Sequence, residues 1–171
     1  YPFEIIITPK MSFGTGHHQT TWLMVKSMLD IDHQNKRVMD AGCGTAILSI
    51  LASKLGASYV EAFDIDEWSV ENGDENIEVN QRHNIRIQQG KINQVELDGK
   101  FDIILANINK NVLLDEMKTY ASWLNTGGIL LLSGFFTLDI PELLSEAAVH
   151  SLKELNSDER ESWASLQLQK F

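Results

Sequence analysis

Short apolar runs alternate along the chain with longer amphipathic stretches. The apolar runs at residues 37–40, 59–63, 85–89, 101–106 and 129–133 predict strands. Residues 20–29, 46–55, 68–80, 112–123 and 140–148 carry helical patterns. Two runs, Ile103-Ile104-Leu105 and Ile129-Leu130-Leu131-Leu132, are continuous rather than alternating. A strand covered by helices on both faces reads this way, as in a parallel sheet. Gly56 and Gly127-Gly128 follow helical patterns, where left-handed C-caps are expected. The alternation predicts an α/β fold: an open, doubly wound, mostly parallel sheet with helices on both faces. The end of the chain departs from this pattern. Residues 150–156 and 163–170 read as two strands joined by a charged turn at 157–162, which predicts a C-terminal antiparallel hairpin and brings the sheet to seven strands.

Composition narrows the picture. A length of 171 residues predicts one domain, long enough for its own core. Asp and Glu total 24 against 14 Lys and Arg, a formal charge of −10, which excludes nucleic acid or anionic lipid held by bulk charge. A single cysteine, Cys43, excludes an internal disulfide framework and any multi-cysteine zinc site. No apolar run approaches the roughly 18–20 residues that span a bilayer. The start, Tyr1-Pro2-Phe3-Glu4, has no signal-peptide pattern and no initiator Met, so the chain is expected to be one piece of a longer, cytoplasmic protein. Neither a membrane nor a nucleic-acid partner is expected, and the chain is read as a monomer.

The strongest local signal is Val38-Met39-Asp40-Ala41-Gly42-Cys43-Gly44-Thr45-Ala46. A strand ends, a glycine turn follows and a helix opens, which directs backbone N–H groups toward a ligand. The dinucleotide fingerprint would need glycine at position 47, which is Ile47. Asp40 would repel a pyrophosphate but suits a ligand carrying an ammonium group. At the end of the next strand stands Asp64, placed to accept ribose hydroxyls, with Asp66 as the alternate or, more readily, a cap for the following helix. The third strand leads into Gln89-Gly90-Lys91-Ile92, where an adenine would lie, but no acidic partner for its amino group follows. Asn107 ends the fourth strand, where its amide oxygen can orient an amine; capping the next helix is the alternative, for which Asn109 competes. His17 and His18 predict no metal site, since adjacent side chains diverge and no Cys/His/acid set surrounds them. Cys43 reads as a small buried spacer.

These residues resemble a class I S-adenosylmethionine-dependent methyltransferase, a Rossmann-like fold. Asp40-Ala41-Gly42-Cys43-Gly44, Asp64 and Leu124-Asn125-Thr126-Gly127-Gly128 are similar to that superfamily's landmarks. More narrowly, Phe13-Gly14-Thr15-Gly16-His17-His18-Gln19-Thr20-Thr21, Ala106-Asn107-Ile108 and Glu161-Ser162-Trp163 resemble the catalytic domain of the PrmA family of bacterial ribosomal protein methyltransferases. The resemblance implies S-adenosylmethionine as cofactor, and methylation of lysine ε-amines and the N-terminal α-amine of large-subunit ribosomal protein eleven. It implies that Asp40, Gly42 and Gly44 hold the methionine part and Asp64 the ribose, with Ile65 also among the cofactor contacts. Phe13, Thr15 and Gly16 would shape the pocket over the cofactor, and Asn107, also among the cofactor contacts, would position the amine. Ala46 stands where the family has a third glycine, His17 and Gln19 replace its usual Thr and Pro, and nothing corresponds to its N-terminal substrate-gripping domain. Three rivals remain. The first is a class I methyltransferase acting on a small-molecule or glutamine-amide nitrogen, though enzymes for amides usually carry an Asn/Asp-Pro-Pro-aromatic run where this chain has Asn107-Ile108-Asn109-Lys110; an NAD-type oxidoreductase is opposed by Asp40 and Ile47; a non-catalytic nucleotide-binding module is kept open by Ala46.

Overall fold

The computed structural model describes residues 4–8 and 18–171. Within them lie seven strands: β1 (Arg37–Ala41), β2 (Tyr59–Asp64), β3 (Ile85–Gln89), β4 (Phe101–Asn107), β5 (Leu124–Phe136), β6 (Leu152–Arg160) and β7 (Trp163–Lys170). Five α-helices connect or precede them: α1 (Gln19–Leu29), α2 (Ile47–Lys54), α3 (Glu67–Val79), α4 (Lys110–Trp123) and α5 (Ile140–Val149). The strands form one sheet in the order β3-β2-β1-β4-β5-β7-β6, parallel from β3 to β5 and antiparallel at β7 and β6.

The continuous apolar runs do what a doubly covered sheet requires. Successive side chains of a strand point to opposite faces. Ile104 and Ala106 of β4 enter the core under α4 and α5, while Ile103 and Leu105 enter the core under α1 and α2. Leu130 and Leu132 of β5 join the first cluster and Leu131 the second. The strand order turns back between β1 and β4. There the loops leaving the two carboxyl ends diverge and open a crevice, the usual ligand position in such sheets.

Two sequence expectations need correction. The run at 157–162 is not a turn: β6 continues to Arg160, and the reversal uses only Glu161-Ser162, both at positive φ (50° and 72°), as in a two-residue type I′ hairpin. Charged residues are tolerated there because β6 is the exposed edge of the sheet. Gly127-Gly128 is not a helix cap either. The backbone is already extended at Leu124, and residues 125–128 bulge out between the pairs Phe101↔Leu124 and Ile103↔Ile129. Gly56 does follow a helix end as expected, with Ala57 N–H donating to Ala52 and Gly56 N–H to Ser53 in a Schellman arrangement.

Candidate active site

The crevice holds a cavity of about 560 Å³, within the range typical of small-molecule sites. Its walls come from the carboxyl ends of β1, β2, β4 and β5, the turn after β3 and the first two turns of α4. Gly42 and Gly44 supply one wall. The turn closes because the N–H groups of Gly42 and Cys43 both donate to the Phe63 carbonyl, tying the end of β1 to that of β2. Gly42 has φ +68°, and a Cβ there would stand 2.5 Å from Ile108 Cγ2, so only glycine lets the loop after β4 close against this turn. Gly134 does the same from β5: its would-be Cβ meets the Ile108 carbonyl at 2.2 Å. Ile108 is thereby clamped between two glycines, which fixes Asn107 and Asn109 on either side of it.

Asp64 lies at the mouth of the β2 turn. One carboxylate oxygen accepts from Gly44 N–H at 3.0 Å and the other from Asp66 N–H at 2.9 Å. Each oxygen has a second acceptor site, so the group can take a diol without releasing the loop. Asp66 caps α3, accepting from Trp68 N–H at 3.0 Å and Ser69 Oγ–H at 3.2 Å. Asp40 sits lower than expected. It is buried, is not among the residues that line the cavity, and accepts from Ser49 Oγ–H at 2.6 Å. Burial pushes its carboxyl up to about 7, the Ser49 hydrogen bond opposes that shift, and the nearby Asp64 charge adds to it. A charge at Asp40 would therefore act on a ligand only through space, from beneath the glycine turn.

Asn107 ends β4 opposite Ser133 and lines the cavity. Asn109 rather than Asn107 caps α4, its Oδ1 accepting from Val112 N–H at 3.1 Å. The Asn107 amide makes no side-chain hydrogen bond among the described residues and is left for a ligand. On the far wall, Trp163 stacks on Phe136 with ring centroids 4.1 Å apart, and His18 meets Trp163 edge-on at 4.9 Å. His18 also caps α1, its Nδ1 accepting from Thr20 N–H at 3.1 Å. Cys43 is buried, and burial raises its thiol well above the usual range, which keeps it protonated and inert. Among the described residues no group of three His, Cys, Asp or Glu is placed to hold a metal.

Of the residues singled out in the sequence, Gly42, Gly44, Asp64, Ile65 and Asn107 come together around one cavity, and Asp40 lies beneath it. Phe13, Thr15 and Gly16 lie outside the described residues. Ile108, Gly134, Glu116 and Trp163 also shape the site. Gly134 carried a signal, a lone glycine at the end of an apolar strand; Glu116 carried none, since its placement depends on how the turn after β3 packs on α4.

The chain matches the family described as ribosomal protein L11 methyltransferase (PrmA) over residues 2–171. A curated relative from Porphyromonas gingivalis, named ribosomal protein L11 methyltransferase, is 50% identical over 96% of this chain and 57% of its own length. Another of the same name from Bacteroides fragilis is 44% identical over 96% of this chain and 59% of its own. The chain thus spans a little under three-fifths of these relatives. A solved structure titled as a ribosomal protein L11 methylase from Lactobacillus delbrueckii subsp. bulgaricus superposes with a TM-score of 0.88 at 33% identity, covering 96% of this chain and 84% of that one. On sequence and fold together, the chain belongs to the ribosomal protein L11 methyltransferase (PrmA) family.

Proposed function

We propose that residues 1–171 form an S-adenosylmethionine-dependent N-methyltransferase domain whose substrate is ribosomal protein L11, methylated on lysine ε-amines and the N-terminal α-amine. The observation that carries this reading is the single cavity in which the glycine turn, Asp64 and an uncommitted Asn107 amide converge. The family and its named relatives supply the substrate. In the cell the reading places the chain in the cytoplasm, acting as a monomer, with no nucleic acid or membrane partner.

The residues present fit the cofactor. Ala41, Phe63, Ile92 and Val112 give the cavity an apolar stretch suited to a flat base. Asp64 keeps acceptor sites for a ribose diol, and Asp40 places carboxylate charge under the turn where an ammonium group would lie. S-adenosylmethionine, when bound, supplies a methyl group already activated on a sulfonium. The protein's task is then to bring a neutral amine to it and hold it in line. A lysine near pKa 10.4 is neutral in only about one molecule in 2,500 at pH 7. The apolar walls exclude water and favour the neutral amine. The Asn107 amide oxygen accepts one N–H and so points the nitrogen lone pair. An amide cannot take up a proton, so Asn107 orients the amine; the methylated product leaves as an ammonium and gives up its proton to solvent outside the cavity.

Asn107→Ala should retain S-adenosylhomocysteine affinity while lowering methyl transfer by about ten- to a hundredfold, the scale of a lost orienting hydrogen bond. Unchanged transfer kinetics in that variant would refute its role. Radiolabelled methyl transfer to a panel of ribosomal proteins decides the substrate: label in ribosomal protein L11 supports the reading, and label confined to small molecules overturns it.

A further inference from the structure

The sequence offers no acidic residue after β3 to receive the amino group of an adenine, and the fold brings one from elsewhere. Glu116, in the second turn of α4, lines the cavity together with Lys91, Ile92 and Val112. Ile92 belongs to the core cluster under α4, so the turn after β3 passes beneath that helix and forms a slot with it. Ile92 and Val112 make the slot's inner walls apolar, the Glu116 carboxylate stands at one side, and Lys91 lies at its exposed edge. One helical turn on, the Tyr120 hydroxyl donates to Glu116 Oε2 and holds the side chain. Tyr120 is buried, and burial first, then the Glu116 charge, raises its hydroxyl well above the usual range, so it stays a donor. Oε1 is left as an anionic acceptor beside an apolar slot. A flat heterocycle carrying an exocyclic amine meets both demands, whereas one presenting an acceptor at that place would be repelled.

Building on the cofactor reading above, we infer that Glu116 is a specificity-determining residue that accepts a hydrogen bond from the 6-amino group of the cofactor's adenine. It replaces from α4 an acidic contact that the β3 turn does not provide.

Calorimetry with two ligands tests this: S-adenosylhomocysteine and its 6-deamino analogue, which has hydrogen in place of the amine. The wild-type chain should bind the amino form about tenfold or more tightly, the scale of a hydrogen bond to a charged acceptor. In Glu116→Ala the preference should fall to within about twofold, mostly through weaker binding of the amino form. Glu116→Gln keeps a partner for Tyr120 and a neutral acceptor, and should show an intermediate preference even where the alanine variant fails to fold. A preference that is the same in wild type and Glu116→Gln, or that is missing from wild type, overturns the inference while leaving the cofactor reading intact. Failure of wild type to bind either ligand overturns both.

Discussion

Burying a carboxylate beneath a ligand cavity makes its charge sensitive to pH near neutrality, and Asp40 is such a group. Its native pKa of about 7 lies well above the ordinary value of 3.8. Between those values the folded state holds a proton that the unfolded state has lost, so this residue's contribution to stability is greatest below pH 4 and declines as the pH rises to about 7. Ligand binding follows the opposite course. A ligand with an ammonium group is favoured by the carboxylate form, so S-adenosylhomocysteine affinity should rise several-fold between pH 6 and 8 and become nearly flat in Asp40→Asn. Calorimetry across that range measures both; a wild-type affinity that does not change would show that the charge under the turn is not felt by the ligand. The role of Asp40 was half legible. Its place before the glycines was visible in the sequence, but alternation in β1 turns its side chain toward Ser49 rather than the cavity. Ala46 is similar. It adopts a left-handed conformation (φ 66°) that glycine would take more easily, at a cost of roughly 1 kcal/mol. Its methyl is fully buried with Ile50 and Ile77, and Gly73 of α3 leaves room for it, so it points away from the ligand.

At the level of elements, helix α3 receives the start of the chain as a neighbouring strand would. Asn80 Oδ1 accepts from Ile6 N–H at 2.9 Å and its Nδ2 donates to the Ile6 carbonyl at 2.7 Å, while Asn76 Oδ1 accepts from Thr8 N–H at 2.9 Å. The spacing explains the fit: four helical residues rise about 6.0 Å and two extended residues about 6.7 Å, so an i,i+4 pair matches alternate backbone groups. Asn76 also donates to the Thr45 carbonyl at 3.0 Å, so one buried amide ties the incoming chain to the glycine turn. Asn76→Ala removes the partner of both backbone groups and should lower unfolding stability by about 1–3 kcal/mol in urea, with weaker S-adenosylhomocysteine binding. A loss no larger than that of an exposed substitution would show that these bonds contribute nothing net. The polar positions at Asn76 and Asn80 were visible within a predicted helix, but nothing local says what they meet, because the partners lie 68 and 74 residues earlier. The hairpin boundary was lost for a related reason: an edge strand buries so little that its charged residues read as a turn.

For the whole molecule, the features that could be read were those repeated along the chain. Two-sided apolar strands, amphipathic helices and glycine turns each recur, and together they specify the sheet without any long-range information. The meeting of distant segments around one cavity, such as Glu116 and the turn after β3, could not be read that way. Net charge is the remaining global property with a functional consequence. At −10 the chain generates a negative field, and a substrate presenting lysines is drawn to it before any contact forms. Such attraction is screened over about 10 Å at 0.1 M salt and about 3 Å at 1 M. With ribosomal protein L11 as the proposed substrate, its KM should therefore rise several-fold between low and high salt. S-adenosylhomocysteine carries one ammonium and one carboxylate, so its affinity should change far less over the same range. Methyl-transfer kinetics and calorimetry at matched salt concentrations separate the two. A KM as insensitive to salt as the cofactor affinity would mean that substrate is captured by short-range contacts at the cavity rim, with Trp163 and Phe136 the aromatic surfaces there, and that the acidic balance serves solubility alone.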